Sequence, residues 1–67
     1  MKQKAKINDT VVLNQKALRR YRDRFKDKTG KVIDTRYEFY LERLVYTVSF
    51  AGYDDIQIWS YEFDKVK

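Results

Sequence analysis

The residues with the most evident chemistry stand in one run. Arg19, Arg20, Arg22, Arg24, Lys26 and Lys28 follow Lys16 closely, with Tyr21 among them. Cations at this density can neutralise phosphates and release counterions, and a ring beside them can stack on a base. The same groups also suit an acidic protein surface. The competing account is a solvated face in which Arg19 pairs with Asp23 one helical turn away. Trp59 is the sole tryptophan, and Asp54-Asp55 is the densest acidic pair near it. Two adjacent carboxylates without a third ligand read as a turn rather than a metal site. With no Cys and no His in 67 residues, thiol nucleophiles, imidazole bases and the usual zinc ligands are absent. No catalytic residue, metal or cofactor is assigned from these residues.

The charge is segregated along the chain. Residues 1–28 hold ten Lys/Arg against three Asp, and residues 29–67 hold five against seven Asp/Glu. The overall +5 therefore conceals a basic first half and a mildly acidic second half. A chain of this length supports one domain, over 1–67, with residues 1–7 expected to be a flexible basic N-terminus. Small domains often lean on disulfides; here eleven Phe, Tyr and Trp must supply the core. Oligomerisation is the other remedy for a thin core. No apolar stretch of signal-peptide or membrane-span length occurs, so a cytoplasmic setting without membrane contact is expected. The Met start suits a complete small gene product. The high Tyr and Lys content suits an accessory protein of a phage or mobile element.

The elements that must position these residues are mostly strands. Thr10–Leu13 follows a turn at Asn8-Asp9, and Lys31–Tyr37 follows Gly30, where a tight turn with positive φ is expected. In Leu44–Phe50 the residues Leu44, Tyr46, Val48 and Phe50 share one face. Residues 51–55 form a connection rich in turn formers, and Ile56–Trp59 pairs back as a hairpin. If Ile56 and Ile58 face the core, Gln57 and Trp59 face out. An outward Trp59 would mark a ligand surface; alternatively it covers the end of the sheet or the long loop. Ser60–Asp64 reads as one helical turn capped by Ser60, and Lys65–Lys67 as a last short strand. Residues 15–28 are open between a short helix, with Leu18, Tyr21 and Phe25 on one face, and an irregular loop pinned by the same residues. Phe39, Tyr40 and Leu41 make an unusually apolar connector, suited to covering the sheet or to an oligomer contact.

This order resembles an SH3-like small β-barrel of five strands, with a long basic excursion after the first strand and a 3-10 turn before the last. Asn8-Asp9-Thr10-Val11 resembles the "GD-x-V" opening strand of the translation-protein and KOW-type branch. Asn8 stands where that family has Gly. Lys28-Thr29-Gly30-Lys31-Val32 resembles its "K-x-G-x-V" second strand. A more local likeness is to the plasmid-borne type II dihydrofolate reductases, whose tetrameric pore carries a Val-Gln-Ile-Tyr segment. Here Ile56-Gln57-Ile58-Trp59 stands in the comparable place. That resemblance implies an NADPH-dependent oxidoreductase with Gln57, Ile58 and Trp59 lining a pore. Trp59 replaces the family's Tyr, and its paired lysines after the first strand are missing.

The leading expectation is a non-enzymatic basic binding module that docks on nucleic acid or an acidic protein, without cofactor. Its binding residues would be Arg19, Arg20, Tyr21, Arg22, Arg24, Lys26, Lys28 and Trp59. The alternatives are a protein-partner inhibitor or a structural subunit of a larger complex, and the tetrameric reductase.

Overall fold

The computed structural model describes residues 4–21 and 24–66. Five antiparallel strands make one sheet: β1 (Thr10–Leu13), β2 (Thr29–Glu38), β3 (Arg43–Ser49), β4 (Ile56–Trp59) and β5 (Phe63–Lys65). A short helix, α1 (Gln15–Tyr21), follows β1, and a 3-10 turn at Ser60–Glu62 links β4 to β5. The strand order is β4-β3-β2-β1-β5. Among the described residues no helix is long and apolar enough to cross a membrane.

The sheet is not closed into a barrel, which corrects the expectation of a closed one. β4 and β5 lie at its two ends and share no ladder. Yet the sheet must curl strongly. Trp59 and Phe63 are four residues apart, a reach of at most about 14 Å, whereas the edges of a flat five-stranded sheet lie about 19 Å apart. A bulge in β2 between Val32 and Asp34 helps, because an unpaired residue bends its strand. Ile33 is that residue, and it is exposed.

The inner face of the curl is the core. Val11, Val32, Tyr46, Val48, Phe50, Ile58 and Phe63 pack there with Leu13, Ala17 and Phe25. The alternation expected of Leu44–Phe50 is therefore realised, with Leu44 packed at the margin. Tyr46 and Phe63 meet edge to face, with ring centroids 5.0 Å apart.

Gly30 has a different role from the one its sequence context suggests. It lies inside β2, opposite Val11, and the only described glycine with positive φ is Gly52. A Cβ at Gly30 would stand 2.5 Å from Val48 Cγ1 and 2.8 Å from Phe50 Cζ. Close packing across the sheet, not a tight turn, requires glycine there. Asn8 does take the left-handed conformation, at φ 79°, as its side chain tolerates.

Boundaries also differ: β2 is Thr29–Glu38 rather than Lys31–Tyr37, and β3 is Arg43–Ser49 rather than Leu44–Phe50. The last strand is Phe63–Lys65, earlier than expected, because Phe63 enters the core and pairs with Leu13; Lys67 lies outside the described residues. Ser60 is the first residue of the 3-10 turn rather than its cap. The preceding backbone donor, the N–H of Trp59, is satisfied by the Glu62 carboxylate at 2.9 Å. Ala5 is buried, and the Lys4 N–H donates to the Tyr46 hydroxyl at 2.9 Å.

Candidate functional site

Asn14 organises the basic excursion. Its side-chain carbonyl accepts the N–H groups of Lys16 and Ala17 at 3.0 and 3.2 Å, which caps the start of α1. Its amide donates to the Tyr61 carbonyl at 2.6 Å, and its backbone N–H donates to Glu62 O at 2.9 Å. The helix is thereby tied to the 3-10 turn. Seven residues would be a marginal helix in isolation, so these long-range ties account for its presence.

After α1 the chain is held by one ring. Phe25 is buried, 4.4 Å from Phe50 and 5.0 Å from Tyr53 between centroids, with Tyr21 edge-on at 5.7 Å. Asp27 turns the chain back toward β2 with φ 60°. Leu18, Tyr21 and Phe25 thus all pack inward, although only the first two lie on the helix. Arg22 and Asp23 lie outside the described residues, and with them the Arg19–Asp23 pairing.

The cations of the excursion divide into two kinds. Arg20 Nη2 sits 3.0 Å from a carboxylate oxygen of Glu62, whose side chain is only 4% exposed. The same guanidinium donates to the Gln57 carbonyl at 2.9 Å and to the Tyr21 hydroxyl at 3.1 Å. The Tyr21 hydroxyl also donates to Gln57 O, at 3.2 Å. Gln57 belongs to β4, an end strand of the sheet. Arg20 and Tyr21 therefore cover a polar group on an open sheet edge, a common protection against stray pairing. Arg20 also neutralises a buried charge.

Arg19, Arg24, Lys26 and Lys28 are the other kind. All four are exposed, and among the described residues none has a carboxylate within 4.0 Å. Lys28 lies 5.9 Å from the Tyr53 ring. Arg19 and Lys26 line a depression of about 380 Å³ with Gln15 and Leu18. Of these four, Arg19 and Lys26 are brought together at one site, and the segment that carries Arg24, Lys26 and Lys28 is anchored by the buried Phe25.

Trp59 lies on the outer face of the sheet, half-buried. It stands in register with Val45, which pairs with Arg36 on β2. Arg43 lies 5.8 Å from the Trp59 ring. A cleft of about 360 Å³ opens here, lined by Trp59, Gln57, Val45, Arg36, Tyr40 and Arg20 among others. Of the three residues expected at a reductase pore, Gln57 and Trp59 face outward while Ile58 is buried in the core. Arg36, Arg43 and Glu62 were not singled out by sequence. Glu62 carried a signal nonetheless, as a lone acid between Tyr61 and Phe63 in an aromatic stretch. Asp54 and Asp55 are exposed in the β3–β4 connection, and the described residues contain no group of three metal-ligating side chains.

The hairpin tip between β2 and β3 is unusually bare. Phe39 is 81% and Tyr40 96% exposed, with Leu41 half exposed. Glu42 closes this turn at φ 51°. Comparison with models of protein families, with curated proteins and with solved structures finds no match to this chain.

Proposed function

We propose that this chain is a small non-enzymatic nucleic-acid-binding module with an SH3-like topology. The strand order β4-β3-β2-β1-β5, with a 3-10 turn before β5, supports the topology. The binding reading rests on one observation. Arg19, Arg24, Lys26 and Lys28 are exposed and lack acidic partners among the described residues, on a segment anchored by a buried ring. Among the described residues these cations have no ion pair that phosphate binding must first break. Anchoring of their segment by Phe25 also lowers the entropic cost of binding an extended polyanion.

In this reading Arg20, held by Glu62, and Tyr21 support the surface and supply no phosphate contact. Arg22 stands within the same run and belongs with the phosphate-binding cations by sequence. The test is equilibrium binding of fluorescent single-stranded DNA and RNA at low salt. The wild type is compared with a variant carrying Gln at positions 19, 24, 26 and 28. Loss of binding with an unchanged thermal melt supports the proposal. Equal binding by both proteins refutes it.

The exposed Phe39, Tyr40 and Leu41 favour a second reading, docking on a protein partner. A complex of that kind persists at high salt, whereas phosphate contacts do not. No cofactor enters either reading.

A further inference from the structure

We propose that the cleft beside Trp59 takes one unpaired nucleobase, so that the protein prefers single strands to duplex. This rests on the nucleic-acid reading above and deepens it.

Three features carry the inference. The first is shape and lining. At about 360 Å³ the cleft lies at the lower end of the range for small-ligand sites. Its lining includes the two aromatic side chains Trp59 and Tyr40 and the apolar Val45 and Leu41. Every base has a π-face, and stacking on such rings is the usual sequence-tolerant contact to single strands.

The second feature is charge. Arg36 and Arg20 line the cleft, and Arg43 stands at the Trp59 ring. Glu38 and Glu62 each hold one of these guanidiniums, on Arg36 at 3.7 Å and Arg20 at 3.0 Å. Arg43 has no such carboxylate among the described residues and is placed to meet the phosphate that accompanies a stacked base.

The third feature is continuity. Arg19 lines the depression beside Lys26, and its neighbour Arg20 lines the Trp59 cleft. One strand can therefore run from the excursion cations over α1 to the tryptophan. A duplex keeps its bases inside the stack and cannot fill the cleft.

The chain's single tryptophan is its own reporter. The full chain is titrated at low salt with a single-stranded oligothymidylate, an abasic oligomer of equal length, a duplex, and poly-glutamate. The proposal expects saturable quenching of Trp59 fluorescence by the oligothymidylate alone. It also expects the abasic oligomer to bind about 5- to 150-fold more weakly, the loss typical of one stacked base. W59F should retain most of the oligothymidylate affinity and W59A should lose it by a similar factor. Equal affinity for abasic and base-bearing oligomers without quenching overturns this proposal and leaves the polyanion surface standing. Failure of every nucleic acid to bind overturns the reading beneath it. Equal quenching by poly-glutamate assigns the cleft to an acidic peptide and overturns the nucleobase assignment.

Discussion

Arg19 and Arg20 are adjacent, carry the same charge and belong to one helix, yet they should fail in opposite ways when replaced. The perturbation is Arg20→Met against Arg19→Gln. Removing one partner of a fully buried ion pair costs about 3–5 kcal/mol, because the other charge is left without compensation. Glu62 satisfies the buried condition, but the Arg20 side chain is 42% exposed. Water near the guanidinium screens the pair, so we discount the loss to about 2 kcal/mol. The Trp59 N–H still bonds Glu62 in the variant, which also limits the damage. For a domain of this size, about 2 kcal/mol lowers Tm by roughly 8–16 °C. Arg19→Gln removes an exposed cation and should change stability by no more than about 0.5 kcal/mol. The assay is thermal and urea unfolding followed by circular dichroism. The double variant Arg20→Met with Glu62→Gln should recover part of the loss, since it leaves no buried charge unpaired. If the two single variants melt alike, or if the double variant is no better than Arg20→Met, Arg20 is not the counterion of a buried carboxylate. The division of the excursion into structural and ligand-facing cations then fails.

Other outcomes follow from single residues. Gly30→Ala should destabilise the sheet by about 1–3 kcal/mol through overpacking against Val48 and Phe50, seen as a lower urea midpoint. Phe25→Ala should cost about 3–5 kcal/mol, and limited proteolysis should then cut the excursion first, since Phe25 is its anchor. Glu42→Gly should be neutral or stabilising by up to about 1 kcal/mol, because it relieves a positive φ at the hairpin tip. Asp9 accepts the Lys6 N–H at 2.7 Å. That bond first, and the Lys65 ammonium second, hold its carboxyl below the ordinary 3.8, against some desolvation. A depressed carboxyl pKa gives stability that is present above the unfolded value and lost as pH falls through the folded one. The advantage of the wild type over Asp9→Asn should therefore be full at neutral pH and shrink below about pH 4 in acid-unfolding curves.

Local signals carried the strands whose patterns are self-contained. Thr10–Leu13 has the bounds expected after the Asn8-Asp9 turn, Ile56–Trp59 those its alternation predicts, and Tyr46, Val48 and Phe50 share the buried face. The excursion was open in the sequence because its helix depends on partners more than forty residues away, Tyr61 and Glu62. The role of Gly30 is hidden from its local sequence for a similar reason. Its constraint comes from Val48 and Phe50 on a neighbouring part of the sheet, not from its own turn. Charge was the least legible property. The sequence shows that Arg19 and Arg20 are cations, but only the fold brings a buried carboxylate to one of them. The closure expected of a barrel depended on whether β4 and β5 pair, and no residue pattern in either strand encodes that.

The central claim is that the unpartnered excursion cations bind phosphates, and salt measures this most directly. Affinity for a single-stranded oligonucleotide, taken from 50 to 300 mM salt, should fall with a log–log slope that grows by about 0.7 per phosphate contact. Replacing Arg19, Arg24, Lys26 and Lys28 by Gln should reduce that slope by about three, while Arg20→Met should leave it nearly unchanged at temperatures where that variant is folded. An equal slope for the wild type and the four-fold variant, or no binding at the lowest salt, would contradict the account.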